Sequence, residues 1–237
     1  KTITVHKMYA MSVITALTAQ NTTGVYGILE STPEFVGQQL DCIFEDIRPD
    51  AVKIGMVSTT EIIEVIAQKL RQYQAVNIVV DPVMVSTSGG KLLSENAIDA
   101  LKIHLFSIAT VITPNIPEAE VLTGFSIKNK KDMQKAAEKI SEVTTGWVLV
   151  KGGHLEDCAD DLLYTKTNRY WFEAPKIENP NTHGTGCTLS SAIACNLASG
   201  LDIVESIKNA KAYLTGALKA GLELGKGRGP LNHCYNL

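Results

Sequence analysis

Short apolar runs alternate with amphipathic stretches along most of the chain. Residues 13–18, Val-Ile-Thr-Ala-Leu-Thr, read as a buried strand. Pro33 opens a helix whose Val36, Leu40, Ile43, Phe44 and Ile47 fall on one face. Residues 51–56 form the next strand, and a helix through Ile62, Ile63, Ile66 and Leu70 follows. Residues 76–80 and 109–113 are strands that end in Asp81-Pro82 and Pro114-Asn115. Between them, residues 94–104 are helical, with Ser94 as the cap. Residues 131–143 are helical, and residues 147–151 are a strand stopped by Gly152-Gly153. Residues 162–164 and 169–173 pair as a β-hairpin across Lys166-Thr167-Asn168. Two long helices, residues 188–199 and 203–224, close the chain.

Short continuous apolar strands separated by helices predict a parallel sheet covered on both faces. No linker, low-complexity segment or repeat divides the chain, so residues 1–237 are expected to form one three-layer α/β/α domain. Ligands of such sheets bind beyond the carboxyl ends of the strands. Gln20, Met56-Val57-Ser58, Asp81, Asn115 and Lys151-Gly152-Gly153 are predicted at that edge.

Composition narrows the class of partner. A net charge of −3 with scattered Lys and Arg points away from nucleic acid and acidic membrane surfaces. No apolar run reaches membrane-spanning length, and no signal peptide is visible. The five cysteines (42, 158, 187, 195 and 234) lack CxxC spacing, which predicts free thiols in a reducing cytoplasm and no zinc site. The five histidines show no metal-ligand spacing.

The richest chemistry lies at Pro180-Asn181-Thr182-His183-Gly184-Thr185-Gly186-Cys187-Thr188-Leu189-Ser190-Ser191. Glycines allow a tight bend, and the first N–H groups of the helix that follows have no partner inside it. Such a start attracts anions through those donors and the positive end of the helix dipole. A thiol on the first turn, Cys187, would feel the same field. An anion cradle beside a polarised side chain suits phosphoryl transfer. It is not a Walker loop, because no Gly-Lys-Ser/Thr follows. A Gly-rich turn that merely starts a buried helix has the same sequence.

Three further groups share the predicted edge. Asp81 is either a turn residue before proline or a carboxylate that holds Mg²⁺ or orients phosphate through water. Asn115 and Glu118 fit a helix cap and its first-turn acid as well as a site. Lys151 is either a solvated strand-end lysine or a cation reaching a nucleotide phosphate.

With these residues the chain resembles the hydroxymethylpyrimidine and phosphomethylpyrimidine kinases of thiamine biosynthesis, within the ribokinase superfamily. The resemblance covers nearly the whole chain. It rests on Ala16-Leu17-Thr18-Ala19-Gln20-Asn21-Thr22, Val52-Lys53-Ile54-Gly55-Met56, Asp81-Pro82-Val83-Met84, Thr113-Pro114-Asn115-Ile116-Pro117-Glu118-Ala119, Val150-Lys151-Gly152-Gly153-His154 and residues 182–191. Most of the superfamily carries Gly-Ala-Gly-Asp where this chain has Gly184-Thr185-Gly186-Cys187; the pyrimidine kinases resemble it in having cysteine.

The resemblance implies an ATP- and Mg²⁺-dependent kinase that phosphorylates 4-amino-5-hydroxymethyl-2-methylpyrimidine and then its monophosphate. It implies that Gly184, Thr185, Gly186 and Cys187 form the anion hole, with Cys187 assisting deprotonation of the hydroxyl. It further implies that Gln20 reads the aminopyrimidine edge, that Met56 and Val83 wall the ring, and that Asn115 and Glu118 help place Mg²⁺ and phosphate. Asp81 and Lys151 would lie near the ATP phosphates and the metal, and the protein would be a cytoplasmic homodimer. Two alternatives stand beside it: a pyridoxal kinase of the same superfamily, and a non-catalytic pyrimidine sensor. The family begins with a strand and a Gly-rich loop ahead of a helix ending near Lys-Thr-Ile. This chain opens at Lys1-Thr2-Ile3, so that strand and loop are expected to be missing from it.

Overall fold

Eight strands and eight α-helices are built where propensity, capping and packing agree in a computed structural model describing residues 1–84, 93–153, 155 and 159–237. His154 and Cys158 therefore lie outside the described residues. The chain divides into two compact units, residues 1–48 with 177–237, and residues 49–176.

The second unit holds a six-stranded sheet. Its strands are β3 (Val52–Ile54), β4 (Ile78–Val80), β5 (Val111–Ile112), β6 (Trp147–Val150), β7 (Asp161–Tyr164) and β8 (Arg169–Phe172), in spatial order of sequence. The first four run parallel; β7 and β8 are antiparallel, joined as the hairpin the sequence predicts. Parallel neighbours need crossovers, and helices supply them. These are α3 (Thr60–Gln72), α4 (Glu95–Ala100), α5 (Ile116–Thr123) and α6 (Lys130–Ile140). Thr59 and Ser94 cap α3 and α4 through their hydroxyls, and α4 continues as a π-turn, Leu101–Leu105. Val79, Val80, Val111, Ile112, Val148, Leu149 and Val150 are wholly buried, the continuous apolar strands of a sheet covered on both faces.

The first unit holds α1 (Thr2–Val5), β1 (Ala16–Asn21), β2 (Gly24–Glu30), α2 (Pro33–Asp46), α7 (Thr185–Ala198) and α8 (Ile203–Lys219). Helix α2 begins at Pro33 behind the Thr32 cap and buries Val36, Leu40 and Phe44, whereas Ile47 is its exposed C-cap. Helices α7 and α8 pack along each other, α7 burying nine of its fourteen residues. Helix α8 ends at Lys219, short of the predicted 224.

One expectation is overturned. Residues 13–18 are not a buried strand of the main sheet; β1 starts at Ala16 and pairs antiparallel with β2, a strand that the sequence reading did not assign. Leu17, Val25, Tyr26, Ile28 and Leu29 are each more than half exposed. Apolar runs of this length fit a buried strand and an uncovered hairpin equally well, and periodicity does not separate them.

Candidate active site

Three adjacent parallel strands deliver charged groups to their carboxyl ends. Asp81 directly follows β4, and its N–H bonds Ile54 O of β3 at 2.9 Å. Thr113 follows β5, with its N–H on Val80 O at 2.9 Å. Lys151 directly follows β6 and bonds Pro114 O at 2.9 Å, in a parallel bridge with Asn115. These bonds extend the sheet register by one residue per strand, so the three side chains meet.

Lys151 Nζ donates to Asp81 Oδ1 at 2.7 Å, with the side chains 13% and 3% exposed. The Thr113 hydroxyl donates to the same oxygen at 3.0 Å. Burial alone would raise the Asp81 carboxyl, but the Lys151 ammonium, with Lys53 beyond it, holds it below the ordinary carboxylate range. Burial would lower Lys151, yet Asp81 and then Glu118 outweigh it and hold its pKa above the usual lysine value. Lys151 is thus no solvated strand-end lysine, and Asp81 does more than turn the chain before a proline.

Asn115 caps α5. Its Oδ1 accepts from Glu118 N–H at 2.9 Å, while Glu118 Oε2 accepts from Asn115 N–H at 2.8 Å, a reciprocal capping box. Asn115 and Glu118 thus take the helix-cap role that the sequence allowed, with Glu118 close enough to Lys151 to be influenced by it. Glu118 is 3% exposed, and burial pushes its carboxyl up to about 7 against the pull of Lys151 and of the Asn115 N–H. A carboxyl with that pKa, beside a buried ion pair, is the pattern of a functional site.

Met56 follows β3 and Val83 follows β4; both are half-buried at the same end of the sheet. Nearby in sequence, Ser58 Oγ is buried without a hydrogen-bond partner among the described residues. A native protein rarely leaves such a hydroxyl unpaired, so it marks a place where a bound group would be satisfied.

In the first unit, Gly184 stands at the start of α7 with φ 82°, a conformation glycine adopts without strain. Thr185, Gly186 and Cys187 form the first turn, and the first i→i−4 bond runs from Thr188 N–H to Gly184 O at 2.8 Å. No side chain caps this start, where Thr185 N–H bonds Thr182 O at 3.4 Å, and helix starts of this kind attract anions. Cys187 is exposed. Gln20 does not follow a buried strand; it sits within β1, exposed, at the irregularity between Ala19 and Gln20. The structure thus joins Asp81, Asn115, Glu118 and Lys151 in one cluster, and Gly184 to Cys187 in one helix start.

Sequence reading missed two acids. Asp161 Oδ1 accepts from Gly152 N–H at 2.9 Å, fixing the turn after Lys151, and Asp160 pairs with Lys130 at 2.6 Å. The signal was there: two consecutive acids open an otherwise apolar strand.

Among the described residues no group of three His, Cys, Asp or Glu side chains is placed to hold a metal. Mg²⁺ seldom needs one, because it keeps its waters and leans on one or two carboxylates and on phosphate oxygens. The Asp81 and Glu118 carboxylates fit that mode, and the orphaned Ser58 hydroxyl fits an added ligand group.

Comparison with known proteins bears on the fold and the family. A pyridoxal kinase from Staphylococcus aureus, solved with AMP-PCP, has a TM-score of 0.91 and 31% identity, covering 99% of this chain and 86% of its own. A phosphomethylpyrimidine kinase from Clostridium difficile has a TM-score of 0.80 and 45% identity, covering 90% and 88%. The fold is accordingly ribokinase-like: α/β, with a mostly parallel central sheet flanked by helices. The phosphomethylpyrimidine kinase family model matches residues 1–232, and the chain belongs to that family. The hydroxymethylpyrimidine/phosphomethylpyrimidine kinase of Streptomyces coelicolor is 43% identical over all of this chain and 88% of its own. The thiamine biosynthesis bifunctional protein ThiED of Geobacter sulfurreducens is 47% identical over 98% of this chain, which spans 48% of that longer protein.

Proposed function

We propose that this protein transfers the γ-phosphoryl group of ATP to 4-amino-5-hydroxymethyl-2-methylpyrimidine, and then to the resulting monophosphate, in thiamine biosynthesis. The observation that carries the reading is the buried Asp81–Lys151 pair beside Glu118 at the ends of three adjacent strands. A charge cluster of this kind is expensive to bury, and strongly perturbed charged groups concentrate at functional sites. In the first transfer the hydroxymethyl oxygen bonds to the γ-phosphorus. The bond from that phosphorus to the bridging oxygen breaks, and ADP keeps the electron pair. The substrate proton passes to Cys187. The helix start formed by Gly184, Thr185, Gly186 and Cys187, with its positive dipole end, stabilises the charge on the transferring group. Lys151 neutralises nucleotide phosphate, Gln20 accepts and donates along the aminopyrimidine edge, and Met56 and Val83 hold the ring. Mg²⁺, reached indirectly by Glu118 and Asp81, would supply charge neutralisation at the phosphates.

In this reading residues 1–237 are a single kinase domain working in the cytoplasm. A homodimer is part of the same reading, supported by the uncovered apolar faces of β1 and β2. Pyridoxal is the second candidate substrate, favoured by the higher TM-score to the pyridoxal kinase and disfavoured by the lower identity. Incubation with ATP and each of the pyrimidine alcohol, its monophosphate and pyridoxal, read by mass spectrometry, separates the readings. Diphosphate from the two pyrimidines supports the proposal. Product from pyridoxal alone moves it to the second candidate, and binding without turnover leaves a sensor.

A further inference from the structure

Among the described residues, hairpin β1–β2 has no core beneath it. Its residues from Leu17 to Asn21 and from Val25 to Glu30 are exposed, and a two-stranded hairpin is at best marginally stable alone. It is instead pinned at its two ends. At the base, Gln39 of α2 clamps Ile14, accepting from its N–H at 2.9 Å and donating to its carbonyl at 3.1 Å. At the tip, the turn is tightened by Asn21, whose Oδ1 accepts from Thr23 N–H at 2.8 Å. The Thr22 hydroxyl beside it accepts from Lys226 N–H at 3.1 Å and Gly227 N–H at 3.2 Å.

Those two amides belong to Gly225-Lys226-Gly227-Arg228-Gly229, and each glycine of that run answers to a contact. A Cβ on Gly225 would collide with the Thr22 side chain, and one on Gly227 with the Thr22 carbonyl. A Cβ on Gly229 would crowd Asn181, whose Oδ1 accepts from Gly229 N–H at 2.9 Å. Asn181 also donates to Leu222 O at 3.1 Å, so it grips both ends of the run. It lies three residues before Gly184, and His183 forms a parallel bridge with Pro230.

We infer that residues 222–230 are a strap fixing the substrate hairpin to the phosphoryl cradle, with Thr22 and Asn181 as its positioning residues. One anchor sits two residues from Gln20, and the other sits at the entry to the Gly184–Cys187 turn. The strap keeps the pyrimidine reader ordered before substrate arrives, so loosening it weakens pyrimidine binding. The inference rests on the kinase reading for its functional half only.

Thr22→Val keeps the side-chain shape and removes the acceptor. Amide hydrogen exchange of the unliganded protein should accelerate across residues 16–30. In turnover assays KM for the pyrimidine alcohol should rise about five- to tenfold, with kcat and KM for ATP within about twofold. Thr22→Ser retains the hydroxyl and should restore both readouts, and Gly227→Ala should reproduce the Thr22→Val defect. Parent-like exchange and KM in Thr22→Val, or equal defects in Thr22→Ser, would overturn the strap. An unmodified enzyme that fails to phosphorylate the pyrimidine strikes the kinase reading instead, and exchange still decides the strap.

Discussion

Lys151→Met isolates the buried ion pair. Methionine keeps most of the lysine stem and deletes the ammonium. Asp81, 2% exposed, loses its 2.7 Å partner and retains the Thr113 hydroxyl at 3.0 Å. Breaking a buried pair from one side strands the other charge and costs about 3–5 kcal/mol. For a chain of this length that is roughly 6–20 °C in Tm. The pH dependence should invert. In the parent, the Asp81 carboxyl is held below 3.8, so its contribution is present above that value and is lost as pH falls through the folded pKa. Lys151 is held above 10.5, so its contribution is present below that value and is lost as pH rises through the folded pKa. In the variant the buried carboxyl keeps only the more distant pull of Lys53 and the Thr113 hydroxyl, and burial, the largest influence on it, pushes it upward. Its folded form is then favoured in acid, and the stability deficit grows as pH rises; Glu118, which also feels Lys151, moves the same way. Guanidinium unfolding of both proteins at pH 5 and pH 8 reads this directly. A deficit below about 1 kcal/mol at pH 8, or one that is the same at both pH values, would refute a buried, functional pair.

Glu118→Gln preserves an acceptor for the Asn115 cap and removes the charge. Because Glu118 is raised from 4.5 to about 7, its contribution to stability is present below 4.5 and lost as pH rises through about 7. That is about 3 kcal/mol over the window, so the variant should match or exceed the parent in stability at pH 8 while turning over more slowly and needing more Mg²⁺. Unchanged kinetics with a lower Tm would leave only the helix cap. Cys187→Ala should cut turnover roughly 10²-fold or more, the range for a positioned acid–base group; near-normal turnover would leave only the backbone cradle. Gln20→Leu should narrow the preference for the pyrimidine alcohol over pyridoxal, expected at about tenfold or more in kcat/KM, chiefly by weakening the pyrimidine. Equal efficiency toward both alcohols in the parent would remove the basis for that role.

Much of the second unit was legible because its signals are local. The period of Ile62, Ile63, Ile66 and Leu70, the Ser94 cap, and the turn at Lys166-Thr167-Asn168 each act within a few residues. Asp81, Asn115 and Lys151 could be placed at strand ends by counting apolar positions. Their meeting could not, because the Asp81–Lys151 bond joins residues 70 apart and depends on strand order. The start of helix α5 was legible from the Asn115 cap and its first-turn acid Glu118, although eight residues leave little helical period to mark its length. Hairpin β1–β2 was misread because exposure is a tertiary fact, and nothing in Leu17 or Tyr26 announces that no layer covers it. The roles of Gly225, Gly227 and Gly229 were invisible for the same reason, since the side chains that exclude a Cβ there come from Thr22 and Asn181.

The first unit is stitched from both chain ends, residues 1–48 and 177–237, while residues 49–176 are continuous. That arrangement sets an order of events during synthesis, when compact units fold as they emerge. Residues 1–48 emerge before the middle unit, and α1, which packs on α7, waits for α7 and α8 to follow it. The middle unit is complete long before. A nascent chain stalled near residue 200 and treated with protease should accordingly protect residues 49–176 and lose residues 1–48. A protected amino-terminal segment at that length would show that it is sheltered before α7 and α8 are made.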